Sequence, residues 1–147
     1  MKIIDLGIGD PRLDTDLLPV LRELRPHLTE ELFRQVYERG HAQGLRFTAA
    51  YTDGGTCVGA AGWRIVDTTS VVRKLYVDDL VTSESARSTG VGRALLAHLE
   101  ARARAEGCHE LSLDSATHRT GAHRFYLRER LDIVAFHFTK ALEPLEG

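Results

Sequence analysis

Two stretches of this chain carry residue types suited to chemistry on a phosphate-bearing ligand. One is the run Arg87-Ser88-Thr89-Gly90-Val91-Gly92-Arg93; the other is the adjacent carboxylates Asp78 and Asp79 that precede it. Glycines let the main chain bend and leave room for a ligand to approach it closely. The pattern that follows, ALLAHLEARARAEG, reads as a helix. The first N–H groups of a helix have no partner within it and carry about half a positive charge, a combination that seats phosphate oxygens. Asp78 and Asp79, as neighbours on a strand, are expected to point to opposite faces, so only one serves a given site. A carboxylate there favours the ammonium form of an amine and can accept its proton, directly or through water.

The glycine run does not fit two better-known phosphate loops. A nucleotide-hydrolysing P-loop needs Lys followed by Ser or Thr after its last glycine, and here Arg93-Ala94 follow Gly92. A dinucleotide fingerprint needs glycine or alanine at position 95, which is Leu. Other constellations are weaker still. His118 and His123 lack further ligands at metal-binding spacing, so no metal is expected. Asp114, Ser115 and His118 lack the elbow that would expose a nucleophilic serine.

Composition narrows the partners. Nineteen Lys and Arg against 21 Asp and Glu leave no basic footprint for nucleic acid. The 147 residues suit one domain. No run reaches a membrane span of about 20 apolar residues, and the N-terminus lacks a signal-peptide core. Cys57 and Cys108 stand apart in apolar surroundings and read as reduced thiols, so a soluble cytoplasmic protein is expected.

The elements that must position the loop and the carboxylates follow from periodicity. Residues 2–6 read as a strand, followed by a Gly-Asp-Pro turn. A helix capped by Asp14 or Thr15 carries Leu17, Leu18, Leu21 and Leu24 and stops at Pro26. A second helix, capped by Thr29, buries Leu32, Phe33, Val36 and Tyr37. Strands over residues 46–52 and 57–66 join through Asp53-Gly54-Gly55 as a hairpin. A third meander strand runs from Val72 or Lys74 to Thr82. The helix after Gly90 closes at Gly107, and residues 108–114 form a strand parallel to the previous one, because a helix crosses between them. A helix from about Arg119 to Arg128 and a last strand over residues 134–139 complete the order, with Pro144 marking the tail.

The Arg87-x-x-Gly90-x-Gly92 form, set between a strand and a long Ala/Leu helix, resembles the coenzyme A pyrophosphate loop of the GNAT superfamily of N-acetyltransferases. Ala122-His123-Arg124-Phe125-Tyr126 resembles that superfamily's Ala-x-x-Phe/Leu-Tyr signature, and Tyr76-Val77-Asp78-Asp79 its small-amine and polyamine branch. The resemblance implies an α/β (α+β) GNAT fold. Its mixed central sheet would have six to seven strands, flanked by about four helices, with a splayed βαβ coenzyme A site.

It further implies that acetyl-coenzyme A donates its acetyl group directly to a primary amine of a small molecule. The pyrophosphate would lie on the amides of Arg87, Ser88, Thr89, Gly90, Val91 and Gly92, with Arg93 and Arg119 as further cofactor contacts. Leu80, Val81 and Thr82 would pair with the pantetheine arm at a splayed bulge, and an N–H near Leu80 would stabilise the oxyanion. Asp78 or Asp79 would assist deprotonation, and Tyr126 would protonate the leaving thiolate. Arg22, Arg25, His27, Tyr37 and Trp63 are candidate acceptor contacts, and a homodimer is the expected assembly. Two departures stand out: Arg119 replaces a frequent Asn, and Arg130 stands where relatives carry a helix-ending glycine. The alternatives are a non-catalytic acyl-coenzyme A binding or sensing module, a peptide or protein N-acetyltransferase, and a nucleotide-binding regulator.

Overall fold

Alternation of apolar with polar or β-branched residues builds a meander in the first part of the chain. β1 (Lys2–Leu6), β2 (Arg46–Tyr51), β3 (Cys57–Thr68) and β4 (Val72–Thr82) pair antiparallel in that order. β5 (Glu110–Leu113) follows β4 in the sheet. The computed structural model describes residues 1–143, so Pro144 lies outside the described residues. The chain divides into two compact units, residues 1–112 and the residues from 113 on.

In the first unit, two helices cover one sheet face and one covers the other. The first segment opens as a π-helical turn, Leu13–Leu17, and continues as α1 (Leu18–Leu24) with Pro19 in its first turn, where a missing N–H is harmless. Neither Asp14 nor Thr15 caps it. Thr15 lies inside the turn, and its hydroxyl donates to the Pro11 carbonyl. α2 (Glu30–Ala42) starts at the expected Thr29, whose hydroxyl accepts from the Leu32 N–H at 3.1 Å. Phe33 and Tyr37 on its buried side each meet Phe47 of β2 edge-on, with Phe47 and Tyr37 centroids 4.9 Å apart.

α3 (Val91–Ala105) packs Val91, Leu95, Leu99 and Ala103 on the opposite face. Its middle is tied to the sheet by a polar chain centred on fully buried Thr48. The Thr48 hydroxyl accepts from Trp63 Nε1 (2.9 Å) and donates to Asp5 (2.6 Å), whose carboxylate also meets His98 and Arg102 at 2.9 and 2.8 Å. Burial works against the Asp5 charge, yet these partners together hold its carboxyl below its ordinary value.

The second unit contains α4 (Thr120–Arg128), which ends in a Schellman-type turn. The Leu131 N–H donates to Tyr126 O and the Arg130 N–H to Leu127 O. Arg130 takes the left-handed conformation there, with φ +67°. The missing glycine therefore does not shift the helix exit; a side chain simply occupies the strained position. Arg130→Gly should relieve about 1 kcal/mol of backbone strain. The expected result is a thermal midpoint raised by a few degrees with unchanged helicity, and an unchanged or lowered midpoint would refute the strain.

Among the described residues the sheet has five strands, not six to seven. Residues 134–139 alternate as a strand should, but they run without regular structure, and among the described residues no strand pairs with them to form a ladder.

Candidate functional site

The centre of the site is an irregularity in β4. Gly62 pairs with Asp79 and Trp63 with Val77, so Asp78 is an extra residue and the strand bulges. A bulge breaks the two-residue alternation. Asp79 lies over Gly62: a Cβ on that glycine would come within 2.8 Å of Asp79 Oδ2. Asp78 receives Nε and Nη2 of Arg64 at 3.0 Å each. Gly62 and Arg64 are two apart on β3 and share a face, so both carboxylates lie on one side of the sheet. The expectation of opposite faces is thereby corrected, and the reason is the bulge.

The end of α1 reaches the same place. Arg25 donates Nε to Asp79 at 2.8 Å and Nη2 to the Asp78 carbonyl at 3.2 Å, while Glu23 accepts the Glu84 N–H at 2.9 Å just beyond β4. Asp79 is 16% exposed and Arg25 44%. Burial pushes the Asp79 carboxyl above its ordinary value; Arg25 pulls it back and Asp78 adds to the rise. This ion pair spans 54 residues of sequence.

After the bulge, alternation assigns the backbone groups. Ser83 donates its N–H to Val58 at 2.8 Å, so Ser83 and Val81 face β3. Leu80 and Thr82 consequently direct their N–H and C=O groups to the other edge. β5 has four residues, and its entry is marked by the His109 N–H on Arg73 O at 2.8 Å. It therefore flanks the first half of β4 only, and no strand among the described residues flanks Leu80 and Thr82. Val81 is bound into the ladder. Further along, the Ser112 hydroxyl oxygen is buried without a hydrogen-bond partner among the described residues.

The glycine turn follows. Glu84–Ala86 form a 3-10 turn, Ser88 and Gly90 have φ of +65° and +91°, and α3 starts at Val91 without a side-chain cap. Its ladder begins with the Ala94 N–H on Gly90 O at 3.0 Å, so the amides of Val91 and Gly92 precede it. Gly90 is required for its backbone conformation rather than for space, since a Cβ there meets nothing within 4 Å. Open space above uncapped amides fits a phosphate group. The Thr89 hydroxyl is committed to the Ala86 carbonyl, which leaves Ser88 as the hydroxyl available to a ligand. Arg87 and Arg93 are both exposed beside this turn.

The remaining predicted residues lie apart from this group or in the second unit. Trp63 and Tyr37 are buried in the core, the Tyr37 hydroxyl donating to Leu6 O at 3.4 Å. Trp63 also lines a hollow with Arg102 and Glu106 near the last turn of α3, the opposite end from the glycine turn. Arg22 and His27 are exposed. In the second unit, Tyr126 is half-buried beside Phe125, and burial raises its phenol above the ordinary value while Arg119 opposes the rise. The Ser115 hydroxyl is a second buried orphan, and His123 contacts Ala116 O at 2.9 Å. No group of three metal-ligating side chains occurs among the described residues. Nor is any of their helices long and apolar enough to cross a membrane. Sequence reasoning missed the role of Arg64, whose position opposite the carboxylates depends on strand register.

The chain has relatives among known proteins. It resembles the aminoalkylphosphonate N-acetyltransferase of Salmonella typhimurium, with 41% identity over 66 residues, 45% of this chain and 43% of that protein. It thus matches less than half the length of that curated relative. A putative acetyltransferase from Agrobacterium tumefaciens superposes with a TM-score of 0.77 at 26% identity, covering 96% of this chain and 99% of that one. An aminoglycoside acetyltransferase from an uncultured soil metagenomic sample shares the fold, with a TM-score of 0.78 at 15% identity over 97% and 96% of the two chains. The acetyltransferase (GNAT) family pattern runs from residue 12 to residue 131, through α1, the bulged strand, the glycine turn and α4. With that share of its length matched, this chain belongs to the acetyltransferase (GNAT) family, whose enzymes use acetyl-coenzyme A as co-substrate.

Proposed function

We propose that the protein transfers acetyl from acetyl-coenzyme A directly to the primary amine of a small molecule. The observation that carries this reading is the β4 bulge. It presents Asp78 and Asp79 on one face, immediately before the unflanked Leu80 and Thr82 edge and the uncapped start of α3. In this reading the amides of Val91 and Gly92 hold the pyrophosphate, together with the turn from Arg87. The edge of Leu80 and Thr82 receives the pantetheine amides.

Asp79 is the proposed base, because a carboxyl raised by burial stands closer to neutral pH and takes a proton from an ammonium more readily. Its proton leaves through solvent. The Leu80 N–H stabilises negative charge developing on the thioester oxygen. Tyr126 is the proposed acid for the departing thiolate, on the grounds of its motif and of a phenol that burial keeps protonated. The thioester C–S bond breaks as the amide C–N bond forms, and no acyl-enzyme is required.

The proposed acceptor carries an anionic group besides its amine. Arg25 uses Nε and one Nη2 hydrogen on Asp79 and Asp78, so its Nη1 edge can grip a phosphonate or carboxylate in fork geometry. The aminoalkylphosphonate N-acetyltransferase relative supports that class.

Thiol release from acetyl-coenzyme A, measured with aminoalkylphosphonates, amino acids, polyamines and aminoglycosides, tests the reading. Turnover is expected with an anionic amine. Tyr126→Phe should lower kcat by about 10²-fold with little change in KM for the donor. Cofactor-induced thermal stabilisation without turnover on any amine would replace the enzyme by a sensing module. Absence of stabilisation would remove coenzyme A altogether.

A further inference from the structure

The extra residue of the β4 bulge, Asp78, is held at three atoms by two arginines. Arg64 on β3 donates Nε to Asp78 Oδ2 and Nη2 to Asp78 Oδ1, each at 3.0 Å, the parallel form that fixes a carboxylate in orientation as well as distance. Arg25 donates Nη2 to the Asp78 carbonyl at 3.2 Å. Arg64 stands opposite Tyr76, so Asp78 is its diagonal neighbour, within reach of a long side chain. All these residues belong to the first unit.

The clamp acts where the strand has a choice. Trp63 on Val77 and Arg64 on Tyr76 set the register on one side of the bulge, and Gly62 on Asp79 and Ala61 on Leu80 set it on the other. Between them β4 has one residue too many, and backbone pairing alone does not say which residue that is. A step toward Leu80 would pair Gly62 with Asp78 and leave Asp79 as the extra residue, away from its seat over Gly62. A step the other way would unseat the buried Val77.

We propose that Arg64 is a positioning residue for acetyl transfer: its fork on Asp78 makes that residue the bulged one and so keeps Asp79 over Gly62, directly before the Leu80 edge. The inference rests on the acetyl-transfer reading, in which Arg64 touches neither donor nor acceptor and acts through Asp78. The fork also neutralises a charge beside the proposed base. Burial does most to raise the Asp79 carboxyl; Arg25 from the end of α1 lowers it, Asp78 on its own strand raises it, and Arg64 on β3 lowers it.

Steady-state transfer by the full chain, followed against pH, tests the clamp. Arg64→Met keeps the apolar stem and removes the fork. Its kcat should fall by about tenfold to 10²-fold, the cost of slightly misplaced groups, with little change in KM for acetyl-coenzyme A. Its acid limb should move to higher pH, because a charge that lowers the Asp79 carboxyl is gone and Asp78 is uncovered. Asp78→Asn should move the limb the opposite way. Arg64→Lys restores the charge without the two-pronged geometry, so the limb should return toward that of the wild type while most of the loss in kcat remains. A merely structural ion pair would lower the thermal midpoint and leave the limb in place. Circular dichroism establishes that each variant is folded, and if Arg64→Met is not, Arg64→Lys and Asp78→Asn carry the test. An unchanged kcat and limb in Arg64→Met would overturn the proposal. So would full recovery of kcat in Arg64→Lys, or limbs that move the same way in Arg64→Met and Asp78→Asn. Those results require an active wild type; a wild type without turnover on any amine would instead overturn the acetyl-transfer reading, and this inference with it.

Discussion

Asp79→Asn lowers kcat/KM for the amine by about 10² to 10⁴-fold, the range for loss of a positioned general base. The fold survives the change. A carboxyl whose folded pKa is raised holds its proton more tightly in the native state than in the unfolded chain. Its contribution to stability is therefore greatest below the ordinary value of 3.8 and falls as pH rises through the raised value. At neutral pH the buried charge is a cost, and the Arg25 ion pair opposes it. Asn removes both, and the thermal midpoint should move by no more than a shift equivalent to about 1 kcal/mol.

The pH profile separates the base from a merely structural carboxylate. Activity should fall as pH drops through the raised pKa of Asp79. Arg25→Gln removes the group that lowers this pKa, so its acid limb should move to higher pH. An acid limb that stays in place in Arg25→Gln, or a wild-type rate in Asp79→Asn, would assign the proton to another group.

Gly59→Val should destabilise the first unit by about 1–3 kcal/mol, the usual range for overpacking. A Cβ at Gly59 would lie 2.6 Å from Val91 Cγ1, 3.0 Å from Leu95 Cδ1 and 3.2 Å from Ala50 Cβ. Val91 and Leu95 are both buried, so neither can simply swing away. The first turn of α3 must lift from the sheet, carrying the amides of Val91 and Gly92 with it. The expected readout is a midpoint lowered by several degrees together with a raised KM for acetyl-coenzyme A. Val91→Ala added to Gly59→Val should recover part of both losses, because the two changes share one contact. Independent, additive effects would show that the turn does not rest on Gly59.

The sequence by itself determined the local elements. Thr29 caps α2 as expected, β4 ends at Thr82, and the Gly90 turn opens α3, because caps, alternation and left-handed turns depend on neighbours within a few residues. The motif around Arg87–Gly92 pointed to the family for the same reason.

Tertiary structure decided the relations among those elements. Adjacent Asp78 and Asp79 share a face only because β4 slips by one residue against β3, a matter of register that period-two reasoning does not contain. Arg25 meets Asp79 across 54 residues, and Arg64 meets Asp78 across 14. Tyr37 and Trp63, which residue type alone nominates for a pocket, are drawn into the core by Leu6 and Thr48. Residues 134–139 carry the pattern of a strand, yet a strand exists only where a neighbour completes its hydrogen bonds, and alternation along one segment says nothing of who that neighbour is.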